Sequence, residues 1–275
     1  MTATEDGDVC HAGAGAHSWI ARLLRLDRDG DTFVVTNSEP GRAPRLFGGL
    51  IAAQALYAAG RTVDADKRPQ SLHLYFVRGG RYGVPVEYGV QRIRTGRSFD
   101  TRQVSVRQDG AVILELIASF HRPEPGADWH PAAAATLEFA DAVPKSSALG
   151  FSDRFEIRTA PDDTSPFAVP PYWIRSREPV GDDPLVQACT LTFFSDLGPL
   201  PTARPPGTPL ALGVGFATSL DHSVWFHRPF RPEQWHRYEV TSVNNSDARG
   251  LARGALYDAD GALVASTAQE ALWRL

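Results

Sequence analysis

Two stretches decide the fold: "VRQDGAVILELIASF" at residues 106–120 and "LYDADGALVASTAQEA" at 256–271. Each is a pair of alternating runs joined by an Asp-Gly step, Asp109-Gly110 in the first and Asp260-Gly261 in the second. Asp-Gly between alternating runs is the chemistry of a two-residue hairpin, because both central residues take positive φ. Upstream, "LHLYFVR" (72–78) resembles "HSVWFHR" (222–228). The two matches are separated by nearly the same distance, 150 residues from Leu72 to His222 and 151 from Asp109 to Asp260. Two matches at one spacing predict a tandem repeat, with strands in the same order in each copy.

Each copy offers one helix before these strands. "RLFGGLIAAQALYAAG" (45–60) is Ala-rich, with Gly60 as its stop, and "DDPLVQACTLTFFSDLG" (182–198) has Asp182 or Asp183 as cap, Pro184 in its first turn and Gly198 as its end. Neither helix has a fully polar face, so both must be buried on most sides. A short buried helix followed by long antiparallel strands predicts a sheet wrapped around a central helix, twice over, in the α+β class. The boundaries expected are a leader at 1–18, a first repeat at 19–121, a Pro- and Ala-rich linker at 122–150 and a second repeat at 151–275.

Composition narrows the function. The chain of 275 residues has a formal net charge of -4, which gives no basic footprint for nucleic acid. Cys10 and Cys189 make neither a disulfide framework nor a metal cluster. The leader "MTATEDGDVCHAGAGAH" lacks the apolar core of a secretory signal, and no apolar run approaches the ~18 residues of a membrane span. A cytoplasmic protein without metal or cofactor is the expectation.

"RLFGGLIAAQALYAA", "SLHLYFVRGG", "LIASFHRPE", "FFSDL", "SLDHSVWFHRPF" and "GALYDADGALVASTAQEALWRL" together resemble the acyl-CoA thioesterase II, or TesB-like, family. The likeness spans most of residues 40–275, and the run from Ser219 to Phe230 is its most specific part. It implies a double hotdog fold and hydrolysis of acyl-CoA to fatty acid and coenzyme A, with no metal and no covalent intermediate. It also implies that an Asp, a Thr and a Gln hold and activate water. Carried across, these fall on Asp196, Ser219 and Gln269, the serine standing where the family has threonine. A serine keeps the hydroxyl and loses the methyl that restricts its rotamer.

The residues can also be weighed directly. Asp221, His222 and Ser223 are adjacent, and successive strand residues point to opposite faces, so they cannot form a nucleophilic relay. The structural reading of His222 is a buried ring satisfied by a backbone group, with Asp221 on a nearby donor. Asp196 sits at the end of a helix of Leu, Val, Thr, Phe and Cys, where a carboxylate is costly unless paired and where the helix dipole opposes negative charge. Both effects raise its pKa, as a general base requires. Gln269 and Thr267 share a face with Leu263, Ala265, Ala271 and Trp273, and the first copy has Ala118 and Leu116 in their places. Ala59 aligns with Asp196. One working site and one degenerate site are therefore expected. Strict alternation favours Thr218 as the inward hydroxyl, whereas a bulge would favour Ser219. Gly48 and Gly49 suit either a thioester oxygen, through backbone N–H groups, or close packing of helix on sheet. A hotdog hydratase built on His222 with Asp196 or Asp221, and a non-catalytic acyl-CoA binder, are the alternatives. Open sheet edges predict a homo-oligomer.

Overall fold

The computed structural model describes residues 18–38, 45–132, 134–146, 151, 153–210 and 216–274. The leader and Cys10 lie outside the described residues. The first half contains α1 (Trp19–Leu23), β1 (Asp27–Asp29), β2 (Thr32–Thr36), α2 (Gly48–Gly60), β3 (Arg68–Phe76), β4 (Pro85–Thr95), β5 (Phe99–Gln108) and β6 (Ala111–His121). The second contains β7 (Val143–Lys145), β8 (Phe155–Thr159), β9 (Tyr172–Ser176), α3 (Pro184–Ser195), α4 (Pro199–Thr202), β10 (Phe216–Ser219), β11 (Asp221–Phe226), β12 (His236–Ser246), β13 (Arg249–Tyr257) and β14 (Leu263–Arg274). β7 falls inside the stretch read as a linker and pairs antiparallel with β8.

The strands form one sheet in the order β1-β2-β4-β5-β6-β3-β11-β14-β13-β12-β9-β8-β7, with β10 also on β14. Read outward from the β3–β11 junction, the two sides have the same order. At that junction His73 faces Ser223, and these residues are 150 apart in sequence. A local two-fold axis therefore passes between them. The predicted double hotdog is the fold: each half of the sheet wraps its own helix, α2 or α3, and the two helices pack on each other.

The helices are buried for the reason their sequences suggest. Along α2, Ala52, Ala53, Ala55, Leu56, Ala58 and Ala59 are fully enclosed. Its single long polar side chain, Gln54, accepts from Tyr88 Oη at 2.6 Å and donates to Leu23 O at 2.7 Å, so its burial leaves the amide satisfied. α3 contributes Phe193 and Phe194, against which Trp19 packs with ring centroids 5.1 and 6.1 Å away. Truncating such a buried Phe to Ala costs about 3–5 kcal/mol.

One turn departs from expectation. Asp109 (φ 48°) and Gly110 (φ 74°) form the predicted hairpin with both central residues at positive φ. In the corresponding Asp260-Gly261 step only Gly261 has positive φ. There Asp258 Oδ1 accepts from the N–H of Asp260 at 3.1 Å and of Ala262 at 2.8 Å, so a side chain organises a longer turn. Arg107 and Tyr257 are equivalent at an offset of 150, Val112 and Leu263 at 151. The one-residue change of spacing is this turn.

A second irregularity is shared by both halves. The register of β3 on β6 shifts between Pro69 and Ser71. On β14 the register changes between Ser219, opposite Ala271, and Ser223, opposite Ala268. One residue is thus bulged in each copy, Gln70 and Leu220, again 150 apart.

Candidate active site

The bulge settles which hydroxyl turns inward. Leu220 keeps its backbone bonds to Glu270 O and Phe76 N–H, but as the extra residue of the bulge it returns Ser219 to the face of His222 and Val224. Gln269 Nε2 donates to Ser219 Oγ at 2.6 Å. The Thr218 hydroxyl meets Ser219 O at 3.5 Å, on its own strand. Asp221 stabilises the irregular segment, because its Oδ1 accepts from the Glu270 N–H at 2.7 Å.

Asp196 is the residue that follows α3, and its helical backbone (φ -87°, ψ -3°) caps that helix. It does not face solvent: only 7% of its surface is exposed. Burial pushes its pKa up to about 7, against hydrogen bonds from the Gly49 amide and the Gln269 side chain that pull it down. The helix end supplies position, and desolvation supplies basicity. A carboxyl with pKa near neutrality is suited to taking and returning a proton.

α2 and α3 run against each other so that the end of one meets the start of the other. A Cβ on Gly48 would stand 2.7 Å from Asp196 Oδ2 and 2.9 Å from the Phe76 ring. A Cβ on Gly49 would stand 2.8 Å from Phe193 O. The glycine pair thus allows close packing, and it also brings a backbone donor to the carboxylate. Gly49 N–H serves Asp196. Gly48 N–H, in a first turn whose N-cap Phe47 makes no side-chain hydrogen bond, has no intrahelical acceptor.

His222 is fully buried, but its partner is not a backbone group as expected. Nε2 lies 2.8 Å from Ser195 Oγ, a hydroxyl from the last turn of α3. Burial lowers its pKa to about 4, so the ring is neutral at physiological pH. Neither Asp196 nor Asp221 is hydrogen-bonded to it, and the Asp/His pair a hydratase would need is not formed among the described residues. Tyr238 Oη extends the network, donating to Ser195 O and meeting Thr267 Oγ1, both at 2.8 Å. Ser195 and Tyr238 were not singled out from sequence. The polar Ser195 beside Asp196 in an apolar helix was the available signal.

Asp196, Ser219 and Gln269 therefore converge, with Gln269 between the other two. Three buried atoms here lack a hydrogen-bond partner: Asp196 Oδ1, Gln269 Oε1 and His222 Nδ1. Buried polar atoms are normally satisfied, so three together set this place apart from the surrounding core. Among the described residues no group of three or more His, Cys, Asp or Glu could hold a metal ion, and no helix is long and apolar enough to cross a membrane.

Comparison with known proteins adds independent findings. Residues 38–121 match the acyl-CoA thioesterase N-terminal domain, and residues 131–273 match the acyl-CoA thioesterase C-terminal domain. The chain is 36% identical to acyl-coenzyme A thioesterase 8 of Mus musculus, covering 93% of this chain and 88% of that protein. It is 32% identical to acyl-CoA thioesterase 2 of Haemophilus influenzae, covering 93% and 96%. Among solved structures it is similar to the acyl-CoA thioesterase II TesB2 of Mycobacterium marinum, with a TM-score of 0.78 and 33% identity over 93% of this chain and 96% of that one.

Proposed function

This chain belongs to the acyl-CoA thioesterase II (TesB-like) family, and we propose that its chemistry is carried by Asp196, Ser219 and Gln269 of the second half, with the start of α2 from the first half beside them. The chain is an acyl-CoA thioester hydrolase, yielding a fatty acid and coenzyme A.

In the proposed mechanism the Asp196 carboxylate is the general base. It takes one proton from a water as the water oxygen attacks the thioester carbon. Ser219 Oγ and the Gln269 amide orient that water. Gly48 N–H, at the uncapped start of α2, faces the carbonyl oxygen as it gains charge, and helix-terminal amides suit that role. The C–S bond of the tetrahedral intermediate then breaks, and the departing thiolate takes the proton back from Asp196. Atoms and charge balance without a covalent acyl-enzyme. The observation that supports this most strongly is the buried Asp196 carboxyl with its pKa near 7, beside Gln269 and Ser219. Single turnover in ¹⁸O water tests it: the product acid should gain one labelled oxygen. Product whose new oxygen comes from the protein would mean that Asp196 attacks the thioester itself.

A homo-oligomer is proposed from the outer face of the sheet, where Tyr75 is 66% exposed and Ile117 44%. Light scattering at a mass of one chain would remove it. A cytoplasmic location fits the free buried thiol of Cys189; activity found in a secreted or membrane fraction would contradict it.

A further inference from the structure

Gln269 can serve the proposed mechanism only in one of the two orientations of its carboxamide. With Nε2 toward Asp196 and Ser219 it offers two N–H donors, one to each. Turned by half a rotation about its last torsion, it would set Oε1 against the Asp196 carboxylate. The free-energy difference between these orientations must come from the other side of the amide, where Oε1 points. In the structure that neighbour is His222. Ser223 faces Ala268 across the β11–β14 ladder, which puts His222 opposite Gln269 on the same inward face. His222 Nδ1 and Gln269 Oε1 are both buried and both without a partner.

Two atoms left over on cross-strand neighbours are complementary if one is a donor. An amide oxygen can only accept, so the donor must be Nδ1–H. The ring is neutral and carries a single proton. With that proton on Nδ1, Nε2 is an acceptor, and the Ser195 hydroxyl, whose single proton has Thr192 O at 3.0 Å and Nε2 at 2.8 Å within reach, gives it to the nearer ring nitrogen. The chain of hydrogen bonds then has one direction throughout: Ser195 Oγ–H to His222 Nε2, His222 Nδ1–H to Gln269 Oε1, Gln269 Nε2–H to Ser219 Oγ. The same direction frees the second Gln269 N–H for Asp196, in line with the downward pull of Gln269 on that carboxyl. The first half shows the contrast. Leu72 and Ala118 occupy the places of His222 and Gln269, and both are fully apolar.

We propose that His222, as its neutral Nδ1–H tautomer held by Ser195, is a positioning residue that locks the Gln269 carboxamide with its NH₂ group facing Asp196 and Ser219. The proposal rests on the catalytic reading above but can fail separately from it.

Two variants divide the functions of the ring. Asn at 222 can place an N–H near the Nδ1 position but cannot reach Ser195. Gln at 222 reaches Ser195 but has no donor at the Nδ1 position. Thiol release should show His222→Gln losing kcat by roughly 30- to 100-fold, the scale of one misplaced polar group at a transition state, with KM within about 2-fold. His222→Asn should lose less than about 5-fold, within the loss expected for one weakened hydrogen bond. If Ser195 contact alone mattered, the order would reverse. His222→Gln as active as His222→Asn, or more so, overturns the proposal. ¹⁵N spectra of histidine-labelled parent enzyme, with His222 assigned by its response to Ser195→Ala, give an answer even where both variants fold poorly. Protonated Nδ1 and bare Nε2 are expected, and the opposite tautomer overturns the proposal. Full turnover in Asp196→Asn would instead strike the catalytic reading, whatever the tautomer.

Discussion

The two halves share strand order, bulge position and helix placement, yet differ at each position that the mechanism uses. Where β14 carries Gln269, β6 carries Ala118. Where Ser219 precedes the bulge, Pro69 does so in the first half. Asp196 closes α3, whereas α2 closes with Ala59 and Gly60 packed against Leu185. The helix starts differ as well. α2 begins without a side-chain cap, whereas α3 begins with Asp183, whose carboxylate accepts from Leu185 N–H at 2.8 Å. That carboxylate occupies an N–H at the start of α3, whereas the start of α2 has no such side-chain acceptor. A cavity of about 340 Å³ bordered by Pro69, Pro184 and Phe226 remains on that side, and none of Asp196, Ser219 and Gln269 lines it. Burying a polar group without full compensation costs roughly 1–3 kcal/mol. The second half bears that cost at Asp196, Gln269 and His222. The first half instead uses buried charge for structure, with Asp100 held by Lys67 at 2.8 Å and Arg102 at 3.3 Å. The comparison teaches that a fold can be copied while its polar exceptions are not, and the site proposed above is made of those exceptions.

The largest effect should follow from giving the second half the letters of the first. Asp196→Ala with Gln269→Ala should lower turnover by roughly 10⁴-fold, about as much as Asp196→Ala alone, because residues acting as a unit are not additive. Measured thiol release within 10-fold of the parent would show that the first half, or another site, does the work. Gln269→Ala alone should cost roughly 10²-fold. A parent-like rate in that variant would make Gln269 a structural amide.

Ser219 should matter less. Ser219→Ala is expected to lose about 10-fold, the worth of one hydrogen bond near 1.4 kcal/mol, while Ser219→Thr stays within about 3-fold of the parent. Thr218→Val should change little, since its hydroxyl contacts only its own strand. A large loss there with Ser219→Ala harmless would mean that the bulge does not set the inward residue. The smallest activity change belongs to the first half. Ala118→Gln should leave turnover within about 2-fold and cost roughly 1–3 kcal/mol of stability, as an amide buried among apolar groups. Urea unfolding beside thiol release checks both halves of that statement; a gain of activity would mean that the cleft lacks only this residue.

Much of this was legible in the sequence. The repeat showed in two matches at one spacing, and the difference between its copies showed in Ala118 standing for Gln269. Asp196 was legible as a carboxylate in an apolar helix. Register irregularities were not. Nothing in "TSLDHS" (218–223) distinguishes a bulged Leu220 from a regular strand residue, because a bulge is set by pairing with another strand. The partner of His222 was illegible for a related reason. Ser195 lies 27 positions away, and only the docking of α3 on β11 brings them together. The longer turn at Asp260-Gly261 escaped because Asp258, two residues upstream, competes with the two-residue hairpin.

The central claim is that Asp196 gives up stability for basicity. Its folded pKa of about 7 lies above the unfolded value near 3.8. Between those values the unfolded chain is ionised while the folded chain keeps its proton. The penalty therefore grows as pH rises from about 4 to about 7 and is constant above. It is on the order of 4 kcal/mol at most. Asn keeps the shape and cannot act as a base. The most direct measurement is Asp196→Asn against the parent, with thermal melting and thiol release followed at pH 5 and above pH 7. The account predicts turnover lower by roughly 10²- to 10⁴-fold, together with a melting temperature equal to or above the parent, the gain shrinking at pH 5. In the parent, kcat/KM should rise with an inflection near pH 7. A variant that melts well below the parent while its folded fraction keeps full turnover would contradict the account, and Asp196 would then be a structural partner.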